Sequence, residues 1–301
     1  MSVMNKSDNS VRQDIFRGVQ RNVPLAMYTR LQLGGLAEFF AEPESESDLI
    51  ALLKQSQIGK IPVHILGAGS NLLVSEKGIG GLTVRFSNPA FCGITIEGQR
   101  VTAGAGAKLG QVITQSVSQG LGGIEDLIGI PGNMGGSLLG NAGTNSGDLG
   151  QWVESVRVAG INGEISVLSK NEISFGYRSS SLDDAVILSA TLRLEKDNPA
   201  ELAKRMQKLW IVRKTQQPSG ERASVYVFKN PATGASAGEL VEQAGLKGTR
   251  IGGAVVSEHN ANFIMVEPEG TAEDVLRLIR FVREQVEIIT EIKLELSLEI
   301  W

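Results

Sequence analysis

The sequence predicts an α+β chain organised in three successive regions, and three patterns carry that expectation. Apolar residues recur at helical spacing in several separated segments. Short apolar runs bounded by turn residues supply strands throughout. Two glycine-rich loops stand between them, and the second is too rich in glycine to be a simple turn.

Residues 1–21 read as a polar, flexible lead-in or as a short helix over 11–19. The first region, 22–86, carries a strand at 36–41. Leu49, Ile50, Leu52 and Leu53 give 45–57 a helical spacing. Residues 63–66 form a buried strand that runs into the first glycine loop, and strands follow at 72–74 and 82–84. In the second region, 87–197, Glu97-Gly98-Gln99 joins strands 94–96 and 100–103 as a hairpin. Residues 109–119 are helical, with Gly120 as the residue just past the helix end. Asn162-Gly163 is a strong hairpin signal between 153–159 and 165–168. Residues 186–194 form a further strand. The third region, 198–301, opens with a basic amphipathic helix at 200–215. A strand at 225–228 and a helix at 237–244, stopped by Gly245, come next. A strand at 261–266 precedes a long helix at 271–289 that begins with a capping pattern. Ile292, Leu294, Leu296, Leu298 and Ile300 alternate with polar residues, the mark of a half-buried strand.

The first glycine loop is Leu66-Gly67-Ala68-Gly69-Ser70-Asn71. The second is Gly129-Ile130-Pro131-Gly132-Asn133-Met134-Gly135-Gly136-Ser137, leading into Gly140-Asn141-Ala142-Gly143. Glycine admits positive φ and lets a ligand approach the backbone closely. Exposed backbone N–H groups in such loops bind phosphates. Two of them suit a long diphosphate ligand gripped at two points, and a nucleotide cofactor such as FAD fits.

Composition narrows the classes. The net charge of −4 gives no basis for a nucleic-acid partner. Cys92 is the only cysteine, so no intrachain disulfide forms and a reducing, cytoplasmic setting is expected. The first residues lack the apolar core of a secretory signal. No apolar run reaches the ~18 residues of a membrane span. A monomer without a metal is expected.

Seven motifs stand in one order along the chain: Tyr28-Thr29 with Leu33-Gly34-Gly35; the first glycine loop; the second glycine loop; Phe175-Gly176-Tyr177-Arg178-Ser179; Phe228-Lys229-Asn230-Pro231; Ala237-Gly238-Glu239-Leu240 with Ala244-Gly245-Leu246-Lys247-Gly248; and Gly252-Gly253-Ala254 with Ala261-Asn262-Phe263. In these motifs the chain resembles the UDP-N-acetylenolpyruvoylglucosamine reductases, also called UDP-N-acetylmuramate dehydrogenases, over residues 22–301. The resemblance implies a two-subdomain FAD-binding module of the vanillyl-alcohol-oxidase type plus a C-terminal α+β substrate domain, in the shorter, type II form. It also implies that NADPH reduces a non-covalent FAD. Hydride then passes to C3 of the enolpyruvyl ether of a UDP-sugar, and C2 is protonated. Gly67, Ala68, Gly69, Ser70 and Asn71 are expected on the flavin. Gly129, Ile130, Pro131, Gly132, Gly135, Gly136, Ser137, Asn141 and Gly143 are expected there too.

The reaction needs a cation on the enolpyruvyl carboxylate, an acid for C2 and anchors for the diphosphate. Arg178 suits the first need, because its planar fork matches a carboxylate, and Tyr177 would lie beside it. Lys229, Asn230 and Lys247 are the expected anchors. The acid is where the chain departs from the family. A serine or cysteine is expected two residues before Phe228, and Tyr226 stands there. Ser224 lies on the same face about 7 Å away. A phenol is a proton donor with an ordinary pKa near 10, but it is also a large pocket filler. At the family's C-terminal catalytic glutamate this chain places Ser297, with Glu295, Glu299 and Glu291 as rival registers. Tyr226 and Ser297 together suggest either a swapped arrangement, with the hydroxyl supplied from the glutamate side, or relaxed chemistry. Three functions follow: the reductase itself, a catalytically weakened FAD- and UDP-sugar-binding homologue with a regulatory role, and a related flavin oxidase. The third-region motifs disfavour the last.

Overall fold

A computed structural model describes residues 16, 18–218, 223–232 and 234–301. The N-terminal helix expected at 11–19 falls largely outside them. The chain forms two compact units: 1–23, 37–67 and 80–206 in one, and 24–36, 68–79 and 207–301 in the other. The expected subdomains 22–86 and 87–197 thus contribute most of their residues to the first unit, while 24–36 and 68–79 group with the C-terminal region.

The first unit holds a five-stranded antiparallel sheet in the order Ile165–Ser169, Val153–Ala159, Val186–Arg193, Arg100–Gly104, Ile94–Glu97. Ala159 pairs with Ile165 across the Asn162-Gly163 turn, with φ +78° at Gly163. A four-stranded sheet runs in the order Gln20–Pro24, Leu36–Ala41, Ile79–Arg85, Val63–Leu66. The last two strands are parallel, with Leu66 opposite Arg85. The helix Glu46–Gly59 starts where Ser45 accepts the Asp48 N–H, and it buries Leu49 and Leu53. Leu109–Ser118 buries Leu109, Val112, Ile113 and Val117 and ends before Gly120, whose φ is +69°.

The second unit is a four-stranded antiparallel sheet in the order Ala223–Tyr226, Phe263–Val266, Ala254–Val256, Arg250–Ile251. The helix Ala272–Thr290 contributes Val275, Leu278, Ile279, Val282 and Val286 to its core. Each such side chain contributes about 1.5–3 kcal/mol on burial. Leu31 and Leu73 sit in this same core, which is why 24–36 and 68–79 fold with this unit.

The C-terminal segment departs from the expected continuous strand. Only a bridge from Leu296 to Phe228 and the short strand Glu299–Ile300 are regular. Ser297 and Leu298 both donate to Val227 O, which bends the chain. The segment then changes partner and runs parallel to Leu72–Leu73. The alternation holds up to the bend, with Leu294 and Leu298 buried and Glu295 exposed, but not beyond it, where Ile300, expected on the buried face, is exposed beside Glu299.

Candidate active site

In the second unit the first glycine loop rests on Tyr28–Arg30. Arg30 N–H donates to Gly69 O, and its Nε donates to Ser224 O on the sheet's edge strand, both at 2.9 Å. Gly69 has φ +57°, and a Cβ there would meet Tyr28 O at 2.1 Å, so only glycine fits. Ala68 is exposed and Ser70 half-buried. Beyond the loop, Asn71 O accepts Glu299 N–H at 3.0 Å and Asn71 Nδ2 donates to Ser297 O at 2.6 Å. Trp301 N–H donates to Leu73 O, and Ser75 N–H donates to Trp301 O. The loop's exit is therefore pinned to the C-terminal segment.

The same segment lies beside the strand that carries Tyr226. Ser297 N–H donates to Val227 O at 2.8 Å, and Lys229 N–H donates to Glu295 O at 2.8 Å. Tyr226 is half-buried and meets Phe263 edge-on, with ring centroids 5.5 Å apart. Its hydroxyl donates to Asn230 Oδ1 at 3.3 Å, an atom that also accepts the Ala237 N–H. Ser224 is fully buried. Ser297 is half-buried, and its hydroxyl makes no hydrogen bond among the described residues. Glu291 sits elsewhere, at the end of the long helix with φ +59°. Glu299 Oε1 accepts the Trp301 indole N–H. The first loop, Tyr226, Lys229, Asn230 and Ser297 are thus brought together. Lys247 pairs instead with Glu242 at 2.7 Å.

In the first unit the second loop runs into the helix Met134–Leu139. Gly135 N–H and Met134 N–H donate to Ala105 O and Ala107 O. Gly129, Pro131 and Gly136 are exposed, Ile130, Gly132 and Gly135 half-buried, and Ser137 and Asn141 buried. Gly143 pairs with Asp148 in a short hairpin. Tyr177 and Arg178 form the tip of a second hairpin, Phe175-Gly176 against Ser179-Ser180. Arg178 has φ +56°, and its guanidinium lies 5.7 Å from the Tyr177 ring centroid. Its Nε is buried with no hydrogen-bond partner among the described residues. A buried donor left unpaired costs about 1–3 kcal/mol. That cost is removed when an acceptor such as a carboxylate arrives. Sequence reasoning found Arg178 but not its geometry; the glycine before Tyr177 was the available turn signal.

The glycines test whether the loops fit a flavin. At Gly67 and Gly136 φ is not in the left-handed region, and a Cβ would meet no atom within 4 Å. Neither backbone strain nor protein packing requires glycine there. The bare backbone at both positions is therefore open to close approach. A cavity of about 510 Å³ elsewhere in this unit is lined by Asp148, Trp152 and Asp197 and contains none of these residues. Its buried Glu125 is ion-paired with Arg205. Cys92 donates to Phe86 O, and burial pushes its thiol pKa up against the opposing pull of Arg85. No helix among the described residues is long and apolar enough to cross a membrane.

A family model described as an FAD binding domain matches residues 37–169. A second, described as the C-terminal domain of UDP-N-acetylenolpyruvoylglucosamine reductase, matches residues 217–301. The chain is 38% identical to the UDP-N-acetylenolpyruvoylglucosamine reductase of Rhodopirellula baltica over 289 residues, which is 96% of this chain and 94% of that one. It is 40% identical to the reductase of the same name from Moorella thermoacetica over 284 residues, 94% of this chain and 93% of the other. The crystal structure of UDP-N-acetylenolpyruvylglucosamine reductase from Thermus caldophilus superposes with a TM-score of 0.81 at 34% identity, covering 95% of this chain and all of that one.

Proposed function

The chain belongs to the UDP-N-acetylenolpyruvoylglucosamine reductase family, and from that premise we propose how its own residues perform the reaction. It is an FAD-dependent oxidoreductase that converts UDP-GlcNAc-enolpyruvate to UDP-N-acetylmuramate in peptidoglycan precursor synthesis. Held by the glycine loops, FAD would supply hydride-transfer chemistry toward C3 of the enolpyruvyl ether. NADPH is the proposed donor of that hydride, and the cytoplasm the proposed setting.

The observation that carries the reading is the orphaned Nε of Arg178. A guanidinium with an unpaired buried donor is suited to receive a carboxylate. It stabilises the negative charge that develops on the enolpyruvyl group as C3 gains hydride. Tyr177, 55% exposed at the same tip, packs beside the substrate. The glycine loops hold the flavin through bare backbone at Gly67 and Gly136. Lys229 and Asn230 hold the UDP portion, Lys229 serving as a point charge for the diphosphate, while Lys247 is engaged by Glu242.

The proton for C2 comes from Ser297. Its hydroxyl has no partner among the described residues, whereas the Tyr226 proton is directed to Asn230 Oδ1. Tyr226 therefore fills the place of the family's serine, and the donor moves to the neighbouring C-terminal segment. Both departures also favour a second reading, in which flavin and UDP-sugar binding persist while the enolpyruvyl chemistry is weakened.

Anaerobic mixing with NADPH, followed at the flavin absorbance, separates the two. Bleaching with rapid reoxidation by UDP-GlcNAc-enolpyruvate supports the reductase. Bleaching without reoxidation supports the weakened homologue. No bleaching removes NADPH as the donor.

A further inference from the structure

We infer that Asn141 is a positioning residue for Arg178 rather than a flavin contact. The inference rests on the proposed reductase reading for the role of Arg178, but not for the geometry. Asn141 is only 2% exposed and holds φ +39°, a region that asparagine tolerates better than most residues. Its amide is used at both ends. Oδ1 accepts the Gly150 N–H, and Nδ2 donates to Gly176 O, each at 2.9 Å.

Gly176 immediately precedes the Tyr177-Arg178 tip. On the opposite strand of that hairpin, Ser180 Oγ donates to Leu139 O at 2.9 Å, two residues before Asn141. The end of the second glycine loop's helix therefore grips both strands just below the tip. An isolated two-stranded hairpin is marginal in water. This one also places Arg178 in a positive-φ conformation that costs free energy unless its surroundings enforce it. The buried amide supplies that enforcement. It sets the height at which the unpaired Nε waits for a carboxylate.

The test is Asn141→Asp in the flavin-loaded enzyme. Aspartate keeps an acceptor for Gly150 N–H and tolerates the backbone angle, but it sets a carboxylate oxygen against Gly176 O. Amide hydrogen exchange over 175–180 is expected to speed up by about tenfold or more once this buried hydrogen bond is lost. KM for UDP-GlcNAc-enolpyruvate is expected to rise by about tenfold, with the FAD Kd within about threefold of wild type, because the lost bond is to the hairpin. On an Arg178→Lys background the same change is expected to cost under about threefold, since residues acting through one another are non-additive. Ser180→Ala, which cuts the other tie and leaves Asn141 in place, is expected to move exchange and KM in the same direction if Asn141→Asp does not fold. Unchanged exchange over 175–180 overturns the inference, as does an FAD Kd that weakens in step with KM. A wild-type enzyme that turns over no enolpyruvyl substrate removes the reductase reading, while the exchange comparison still decides whether Asn141 holds the hairpin.

Discussion

Gly136→Ala is expected to stabilise the apoprotein and weaken flavin binding, two effects of opposite sign from one methyl group. Gly136 lies inside the helix Met134–Leu139, and an added Cβ meets nothing within 4 Å. With no clash to relieve, alanine stabilises by about 0.5–1 kcal/mol through the unfolded chain. For a protein of this size that raises the apoprotein Tm by roughly 1–4 °C. If the bare backbone at 136 faces the flavin, the methyl instead overpacks the complex by about 1–3 kcal/mol. At 1.4 kcal/mol per tenfold, the FAD Kd rises about 5- to 150-fold. Gly135→Ala is the control: its Cβ would sit 3.0 Å from Ala105 Cβ and 3.3 Å from Ala105 O, so it should destabilise the apoprotein itself. The assay is urea unfolding of apoprotein beside fluorescence titration of FAD. A Gly136→Ala protein that binds FAD as tightly as wild type would refute the reasoning.

Arg178→Lys keeps the charge and loses the planar fork, so kcat/KM should fall by about 10²–10³; steady-state kinetics within threefold of wild type would oppose this. Ser297→Ala should lower kcat by about 10²–10⁴ if its hydroxyl protonates C2. Tyr226→Phe keeps the edge contact on Phe263 and should cost less than about tenfold, so the reverse ranking would make Tyr226 the acid. Asp274 gives an acid-limb prediction. The Gly253 N–H chiefly, with the Thr271 hydroxyl and N–H, holds its carboxyl below the ordinary value of 3.8, against a smaller opposing effect of burial. Its contribution is therefore present above the unfolded pKa and is lost as pH falls through the lower folded one. Asp274→Asn should lower stability at pH 7 and flatten the urea midpoint's decline below about pH 4; an unchanged slope there would contradict it.

Much of the fold was legible because local signals agreed with long-range packing. Ser45, Gly120, Asn162-Gly163 and Thr271 mark boundaries that hold to within a few residues. The alternation gave the buried face at Leu294 and Leu298, but neither the bend nor the exposure of Ile300 beyond it. That bend depends on two N–H groups sharing Val227 O, a tertiary event with no local signature. Nor does chain order reveal that 24–36 and 68–79 fold with the C-terminal unit, since Leu31 and Leu73 look like any other short-segment apolar residues. At the site, residue types pointed to Arg178 and both glycine loops. The commitment of the Tyr226 hydroxyl to Asn230, the uncommitted hydroxyl of Ser297 and the double use of the Asn141 amide are matters of side-chain direction, which a pattern of residues does not encode.

The most direct measurement is a single turnover of NADPH-reduced enzyme with UDP-GlcNAc-enolpyruvate under anaerobic conditions, read by flavin absorbance and by the mass of the sugar nucleotide. The account predicts flavin reoxidation in step with a product two hydrogens heavier than the substrate, and both slowed by about 10²–10³ in Arg178→Lys. Reduced flavin that persists beside unaltered substrate would contradict it.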